Sequence, residues 1–330
     1  MKVPPRGVRV ALLPLAAALI LVLATLLLVL LALGLLAAPF DRRMRLSRLA
    51  AFGLSYCAME FAVLARGLGR PGRGDDRLLV WALGMVLGAA RRTLGFTVRV
   101  EGDAEQVLTG NDPVAVLARH GGPGDSFSLV YLLEALYGRR VRIVAKDILQ
   151  LDPAIDTLLN SRGCCFVESS SRGRGNTDRL AACTSALGES EALLLFPEGE
   201  NWTPRRRTRA IRRLRARRRH RAADAALLME NVLPPRPTGV AACVKGRPGI
   251  RIVISAHIGL DRIVTARQLW DAIPFRTPMT VRFWPAQPPP GPDASEDDIA
   301  RWLTGEWAIV DEWIDSRRDA ADQAAAGLVP

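Results

Sequence analysis

The sequence has few of the residues that build disulfide frameworks or zinc sites. Its five cysteines are an odd number without paired spacing, which argues against a disulfide framework and fits a reducing compartment. Neither C-x-x-C nor H-E-x-x-H occurs, so we expect no metal site. The three histidines stand at positions 120, 220 and 257, and imidazole chemistry is limited to them.

Acidic residues are outnumbered by basic ones. Lysine and arginine total 45 against 33 aspartates and glutamates, which gives a net charge of +12. This balance favours an anionic partner such as a phospholipid surface, a phosphorylated substrate or nucleic acid. At 330 residues the chain can bury one full core and carry appendages.

Residues 8–40 are almost wholly apolar. This run exceeds the roughly 20 residues that span a bilayer and is longer than the core of a secretory signal. It predicts an N-terminal transmembrane helix, strongly tilted, or a re-entrant helical hairpin. Basic residues are more numerous after the run than before it, so we expect a membrane protein of the inner or plasma membrane with its main domain on the cytoplasmic side.

The pattern after the anchor divides the chain further. Residues 1–45 are assigned to the membrane anchor, 46–94 to an amphipathic helical segment, 95–318 to an α/β domain and 319–330 to a flexible tail. Helices are predicted over 46–68 and 78–94. Strands then alternate with helices, which predicts a mainly parallel sheet flanked by helices. The predicted strands are 96–101, 114–118, 141–145, 163–168, 192–196, 239–244, 250–257 and 279–284.

A histidine and an aspartate flank the loop that follows the second predicted strand. His120 lies at the strand end, and Asp125 opens the next helix after a Gly-Gly-Pro-Gly turn. A neutral imidazole takes up a proton near pH 7, and a carboxylate on its other nitrogen fixes the tautomer. The pair therefore predicts a general base held by an acid, although a loop histidine beside a capping aspartate is the simpler alternative.

A second motif, Phe196-Pro197-Glu198-Gly199, stops another buried strand. Parallel strands end at the same edge of a sheet, so we expect Glu198 to open into the same pocket as His120. A plain surface turn is the alternative interpretation.

Together these motifs resemble the glycerophospholipid acyltransferase family, in particular its lysophosphatidate (1-acylglycerol-3-phosphate) acyltransferase group. His120 to Asp125 looks like the family's H-x-x-x-x-D block, and residues 196–199 look like its F-P-E-G block. Residues 163–167 resemble the intervening G-x-x-F-[IV] block, and residues 233–239 are similar to the proline-led fourth block. The resemblance implies a glycerol-3-phosphate acyltransferase-like α/β fold.

Some positions depart from the family pattern. Arg119 replaces the usual asparagine, Glu200 the usual threonine or serine, and Ser169 the arginine that normally ends the second block. These departures bear on the identity of the substrate more than on the type of reaction.

The resemblance implies acyl transfer with His120 and Asp125 as the catalytic residues. His120 would deprotonate the free hydroxyl of a lysophospholipid, which would attack the thioester of acyl-CoA or an acyl carrier protein. No cofactor is implied besides that co-substrate. The expected partners are membrane phospholipid and the acyl donor, and no nucleic acid. Substrate contacts are assigned to Arg119, Gly163, Phe166, Arg172, Phe196, Pro197, Glu198, Gly199, Pro235 and Arg236.

Eleven arginines crowd residues 205–221. Docking on anionic lipid headgroups, nucleic-acid binding and a merely solvated basic helix all fit this composition.

The sequence is also compatible with two other functions. Gly124-Asp125-Ser126 resembles the G-D-S block of a serine hydrolase family with Ser126 as nucleophile, but no late D-x-x-H block follows. The other is a catalytically inactive, membrane-anchored lipid-binding protein. We interpret Cys164-Cys165 as small apolar residues of a buried strand and His257 as structural.

Overall fold

The computed structural model describes residues 3–69, 76–122, 124–168, 174–261 and 263–325. Within them, seven strands form one sheet in the order β1-β7-β6-β2-β5-β3-β4. Neighbouring strands are parallel except β6 and β7, which confirms the predicted mainly parallel sheet. The strands are β1 (Val98–Glu101), β2 (Val114–Ala118), β3 (Arg140–Lys146), β4 (Cys165–Val167), β5 (Glu191–Leu195), β6 (Arg251–Ile258) and β7 (Met279–Pro285).

Helices cover both faces of the sheet. The alternation of side chains along β2 sends Val114 and Val116 into one apolar core and Ala115 and Leu117 into the other. The described helices are α1 (Arg6–Ala11), α2 (Leu13–Leu36), α3 (Arg45–Gly69), α4 (Asp76–Leu94), α5 (Ala104–Leu108), α6 (Asp125–Tyr131), α7 (Pro153–Ser161), α8 (Arg174–Ser185), α9 (Pro204–Ala216), α10 (His220–Leu228), α11 (Pro237–Gly246), α12 (Ala266–Ala272) and α13 (Glu296–Ala325). A π-helical turn at Leu132–Leu136 extends α6, and a 3₁₀ turn at Asp147–Leu151 precedes α7.

The helices α2 and α3 pack side by side as a hairpin. A Cβ atom at Gly34 would lie 2.7 Å from Ser47 Oγ, and one at Gly53 would lie 2.9 Å from Leu27 Cδ1. These two close approaches give the pair an antiparallel register. Length and composition would allow α2 and the Arg45–Arg66 part of α3 to cross a membrane. The helix α2 runs unbroken from Leu13 to Leu36, so residues 8–40 do not form a helical hairpin by themselves, and the hairpin pairs α2 with α3.

Two predicted elements differ from the structure. Residues 239–244 were expected as a strand but lie in α11, which begins with Pro237 in its first turn. A short apolar run does not distinguish a strand from a buried helix, and alanines favour the helix here. The closing helix α13 continues to Ala325, so part of the segment predicted as a flexible tail, 319–330, is helical.

Three strand ends meet at one edge of the sheet. β2 lies between β5 and β6 and is parallel to both. The residues that follow or end these strands, His120, Phe196 and His257, therefore lie together.

Candidate active site

His120 and Asp125 are in contact. His120 Nδ1 donates a hydrogen bond to Asp125 Oδ2 at 2.8 Å. A carboxylate can only accept, so the contact fixes the Nδ1–H tautomer and leaves Nε2 as the nitrogen that can take a proton. The imidazole is 23% exposed, and its centroid lies 4.6 Å from that of the Phe196 ring. The arrangement is that of a general base oriented by an acid.

The carboxylate of Asp125 is held on every side. Its Oδ2 atom accepts from the backbone N–H groups of Gly121 (3.0 Å) and Gly122 (3.3 Å), while Oδ1 accepts from Ser126 N at 2.6 Å. Burial alone would raise the pKa of Asp125, but hydrogen bonds from His120 and His257 hold it well below its ordinary value. The group is therefore ionised at neutral pH.

The glycines of this loop have no room for side chains. A Cβ atom at Gly121 would lie 2.4 Å from Arg119 Nη1 and 2.9 Å from His257 Cε1. One at Gly122 would lie 2.7 Å from the Leu260 carbonyl oxygen. The loop can thus pack against the end of β6 and turn both amides toward Asp125.

His257 is a second imidazole on the same carboxylate. It is fully buried, and its Nε2 atom lies 3.3 Å from Asp125 Oδ2 and 3.2 Å from the Arg119 carbonyl oxygen. Both neighbours are acceptors, so Nε2 carries the proton. The sequence interpretation of His257 as structural missed this contact. The only signal was its place near the end of a strand whose parallel neighbour carries His120.

Glu198 does not open into the pocket as we expected. Its carboxylate is buried and accepts hydrogen bonds from the backbone N–H groups of His120 (3.3 Å) and Leu233 (2.9 Å) and from Trp307 Nε1 (3.3 Å). Burial raises the pKa of Glu198 to about 7, although the charge of Arg119 opposes this shift. Glu198 thus holds the backbone of His120, and its carboxylate is not part of the lining of the pocket described below.

Arg119 is also buried and does not line the pocket described below. Its guanidinium group is fully buried and donates to the carbonyl oxygens of Asn231 (2.7 Å from Nη2) and His257 (2.8 Å from Nη1). Its Nη2 atom lies 3.6 Å from Asp261 Oδ2. The guanidinium therefore links the end of β2 to β6 and to the segment after α10, and none of these contacts involves the pocket.

A pocket of about 530 Å³ opens beside His120. Its walls are mainly apolar and come from α3, α4, α6 and α7, where Met59, Ala82, Val130 and Leu158 contribute. The pocket reaches His120 and the Phe196 ring at the edge of the sheet. Its size and apolar lining suit a hydrocarbon chain.

Basic groups accompany the pocket where it meets the sheet edge. Lys146 and Arg206 belong to its lining, together with Gly199. Gly199 has φ +71°, and a Cβ atom there would lie 3.0 Å from Arg236 Nη1, so the Arg236 guanidinium covers this glycine. Lys146 and Arg206 were not assigned to the site from the sequence, because neither belongs to a recognisable motif.

The other predicted substrate residues are divided between this pocket and its surroundings. Phe196 and Gly199 line it. Gly163, at φ +64°, forms a turn after α7, and Phe166 packs against a small core with Cys164. The Pro197 carbonyl oxygen accepts a hydrogen bond from Arg236 N at 2.9 Å, and Pro235 directly precedes Arg236. The prediction for Arg172 lies outside the described residues.

Ser126 also lines the pocket, but it is engaged as a donor. Its Oγ atom lies 3.1 Å from Asp125 Oδ1. A nucleophilic serine needs a base that takes its proton, and an ionised aspartate with a strongly lowered pKa is a poor one. This contact does not favour the serine hydrolase interpretation.

Comparison with known proteins gives one family match. The acyltransferase family model matches residues 97–240. Among solved structures, the chain is similar to the 1-acyl-sn-glycerophosphate acyltransferase PlsC from Thermotoga maritima, with 16% identity and a TM-score of 0.48. That match covers 78% of this chain and 88% of the other. No curated protein sequence matches.

Proposed function

This chain belongs to the acyltransferase family, and from that premise we propose that it transfers a fatty acyl group from a thioester donor to the free hydroxyl of a lysophospholipid. The proposed donor is acyl-CoA or an acyl carrier protein. The proposed acceptor is 1-acylglycerol-3-phosphate, which would give phosphatidic acid. The observation that carries the proposal is the His120–Asp125 pair at the wall of an apolar pocket with basic residues in its lining.

In the proposed reaction, His120 Nε2 takes the proton of the acceptor hydroxyl as its oxygen attacks the thioester carbonyl. The carbon–sulfur bond then breaks, and the leaving thiolate recovers the proton from the imidazolium. Asp125 accepts from Nδ1–H throughout and stabilises the imidazolium. Glu198 and the hydrogen bond from Trp202 N to the His120 carbonyl oxygen, at 2.7 Å, hold the His120 backbone in place.

The pocket supports the assignment of both substrates. Its apolar walls suit a fatty acyl chain, whose burial contributes about 0.8 kcal/mol per methylene group. Lys146 and Arg206 suit an acceptor phosphate, because both carry positive charge at the pocket that contains His120. In this proposal the reacting thioester would lie between the apolar walls, which take the acyl chain, and the two basic side chains, which take the acceptor phosphate.

We propose that α2 holds the enzyme at the membrane. Most of its leucines are exposed, among them Leu19, Leu21 and Leu36 at 60% or more. Both the acceptor and the product are membrane lipids, so an anchored enzyme keeps them within reach. The basic residues after the apolar run and the five free cysteines support a cytoplasmic catalytic domain.

The direct test is lipid mass spectrometry. The purified chain is incubated with acyl-CoA or acyl carrier protein thioesters and a panel of lysolipids that differ in headgroup. We expect a new diacyl product with a phosphate headgroup, formed faster than products from uncharged or zwitterionic acceptors. Hydrolysis of the thioester without a diacyl product from any acceptor would contradict the proposal.

A further inference from the structure

A separate basic unit stands beside the pocket. The helices α9 and α10 pack on each other through Ile211, Ala223 and Ala226, which form their own small core with Leu214. Arg207 closes this unit, because its guanidinium donates to the carbonyl oxygens of Leu227 (2.9 Å) and Met229 (2.7 Å) at the end of α10. We call α9 and α10 the basic hairpin.

Its outer surface is almost purely cationic. Nine of the arginines from Arg205 to Arg221, a stretch described throughout, are exposed. None of these nine lies within 4 Å of a carboxylate among the described residues, whereas the half-buried Arg206 pairs with Glu200 at 3.5 Å. Unpaired arginines packed this closely repel one another, so the surface is best stabilised by a polyanion.

The position of the basic hairpin links it to the pocket. Asn201 and Arg206 line the pocket, and α9 begins between them at Pro204. The C-terminal end of α10, which Arg207 holds against the start of α9, exposes two adjacent leucines, Leu227 at 43% and Leu228 at 83%. Cationic groups with exposed apolar side chains beside them suit the headgroup boundary of a bilayer, while nucleic acid offers nothing to the leucines.

We propose that the basic hairpin docks on an anionic lipid leaflet and holds the pocket at the membrane surface. The arginines would bind lipid phosphates, and Leu227 and Leu228 would enter the boundary between headgroups and acyl chains. Docking is a property of this surface and does not require turnover, so it can hold or fail independently of the proposed acyl transfer.

The test compares two variants with the same loss of charge. The hairpin variant carries R209Q, R212Q, R213Q and R215Q, and glutamine preserves helix propensity. The control variant carries R99Q, R251Q, R267Q and R301Q, four exposed arginines on other elements. The full chain is sedimented with vesicles of phosphatidylcholine alone and with vesicles that also contain the anionic lipid phosphatidylglycerol. The measured quantity is the ratio of the two partition coefficients.

We expect the wild-type ratio to exceed one and the hairpin variant to lower it by at least about tenfold, because four arginines leave the lipid surface. The control variant should lower it by less than about threefold. Equal losses in both variants would assign the effect to net charge. An unchanged ratio in the hairpin variant would show that its arginines do not bind the anionic lipid. Either result overturns the proposal.

A further arm measures binding of a labelled DNA duplex and of single-stranded RNA. Loss of nucleic-acid binding in the hairpin variant, with the lipid ratio intact, would also overturn the proposal in favour of a nucleic-acid surface. Melting temperatures of both variants within a few degrees of wild type confirm that the ratio reports the surface and not the fold.

Discussion

Replacing His257 by leucine should slow acyl transfer without weakening substrate binding. The imidazole is fully buried and does not line the pocket. Its Nε2–H group lies 3.3 Å from Asp125 Oδ2, the oxygen that also accepts from His120. Leucine fills much of the same volume but removes this donor, so Asp125 loses one of the contacts that fix its position.

The size of the effect follows from the strength of that contact. A hydrogen bond to a charged group contributes about 1.5–3 kcal/mol. If Asp125 transmits this loss to the orientation of His120, kcat should fall by about tenfold to a hundredfold. The Michaelis constants for the acyl donor and the acceptor should stay within about twofold, because neither substrate reaches position 257.

The assay is steady-state acyl transfer in detergent micelles, with both substrates varied. His257→Gln is the matched variant, since its amide can donate where Nε2 does, and it should recover much of kcat. A melting temperature is measured for each variant. Full activity in the folded leucine variant, or a loss confined to the Michaelis constants, would refute the positioning role of His257.

Three further outcomes follow from the site. Lys146→Met should raise the Michaelis constant of the phosphate-bearing acceptor by about tenfold and leave that of the donor unchanged, since a charged contact is lost on one substrate only; equal effects on both would contradict this. Ala82→Phe should reduce kcat/KM for long-chain donors by at least about tenfold relative to shorter ones, because each methylene group excluded from the pocket costs about 0.8 kcal/mol. An unchanged dependence of kcat/KM on chain length would show that the pocket does not bind the acyl chain. Burial raises the pKa of Glu198 from 4.5 to about 7, so the folded chain binds more protons than the unfolded chain between these values. Its contribution to stability is complete below pH 4.5 and is lost as the pH rises through 7, by up to about 3 kcal/mol. The melting temperature of wild type relative to Glu198→Gln should therefore be lower at pH 8 than at pH 5, and a pH-independent difference would refute the shift.

Local patterns in the sequence predicted the contact between His120 and Asp125. The five residues from Val114 to Ala118 form the predicted strand, and the Gly-Gly-Pro-Gly loop returns the chain to Asp125 at the start of α6. His120 and Asp125 are only five residues apart, so local spacing could predict their contact, whereas the close neighbours of Gly121 and Gly122, His257 and Leu260, are distant in the chain.

Side-chain directions beyond a strand end could not be predicted in the same way. Alternation along β5 would carry Glu198 to the same face as Phe196. The turn at Pro197–Gly199 instead sends Glu198 inward, where Leu233 and Trp307 provide its donors. Both partners are distant in the chain, and no local pattern signals them.

Packing between distant segments also decided the remaining elements. The contacts of Gly34 with Ser47 and of Gly53 with Leu27 pair α2 with α3, which composition alone leaves open. The same holds for α11, whose apolar run is compatible with a strand. In the fold it packs as a helix against α8, so closely that a Cβ atom at Gly246 would lie 2.3 Å from the Ala181 carbonyl oxygen.

The most direct test of the account is acyl transfer by His120→Ala. The variant is assayed with acyl-CoA and 1-acylglycerol-3-phosphate under the conditions that give product with wild type. We predict a loss of about 10²- to 10⁴-fold in kcat, which is the usual contribution of a general base, with the fold intact by melting temperature. Transfer at the wild-type rate by the folded variant would contradict the assignment of His120 as the base.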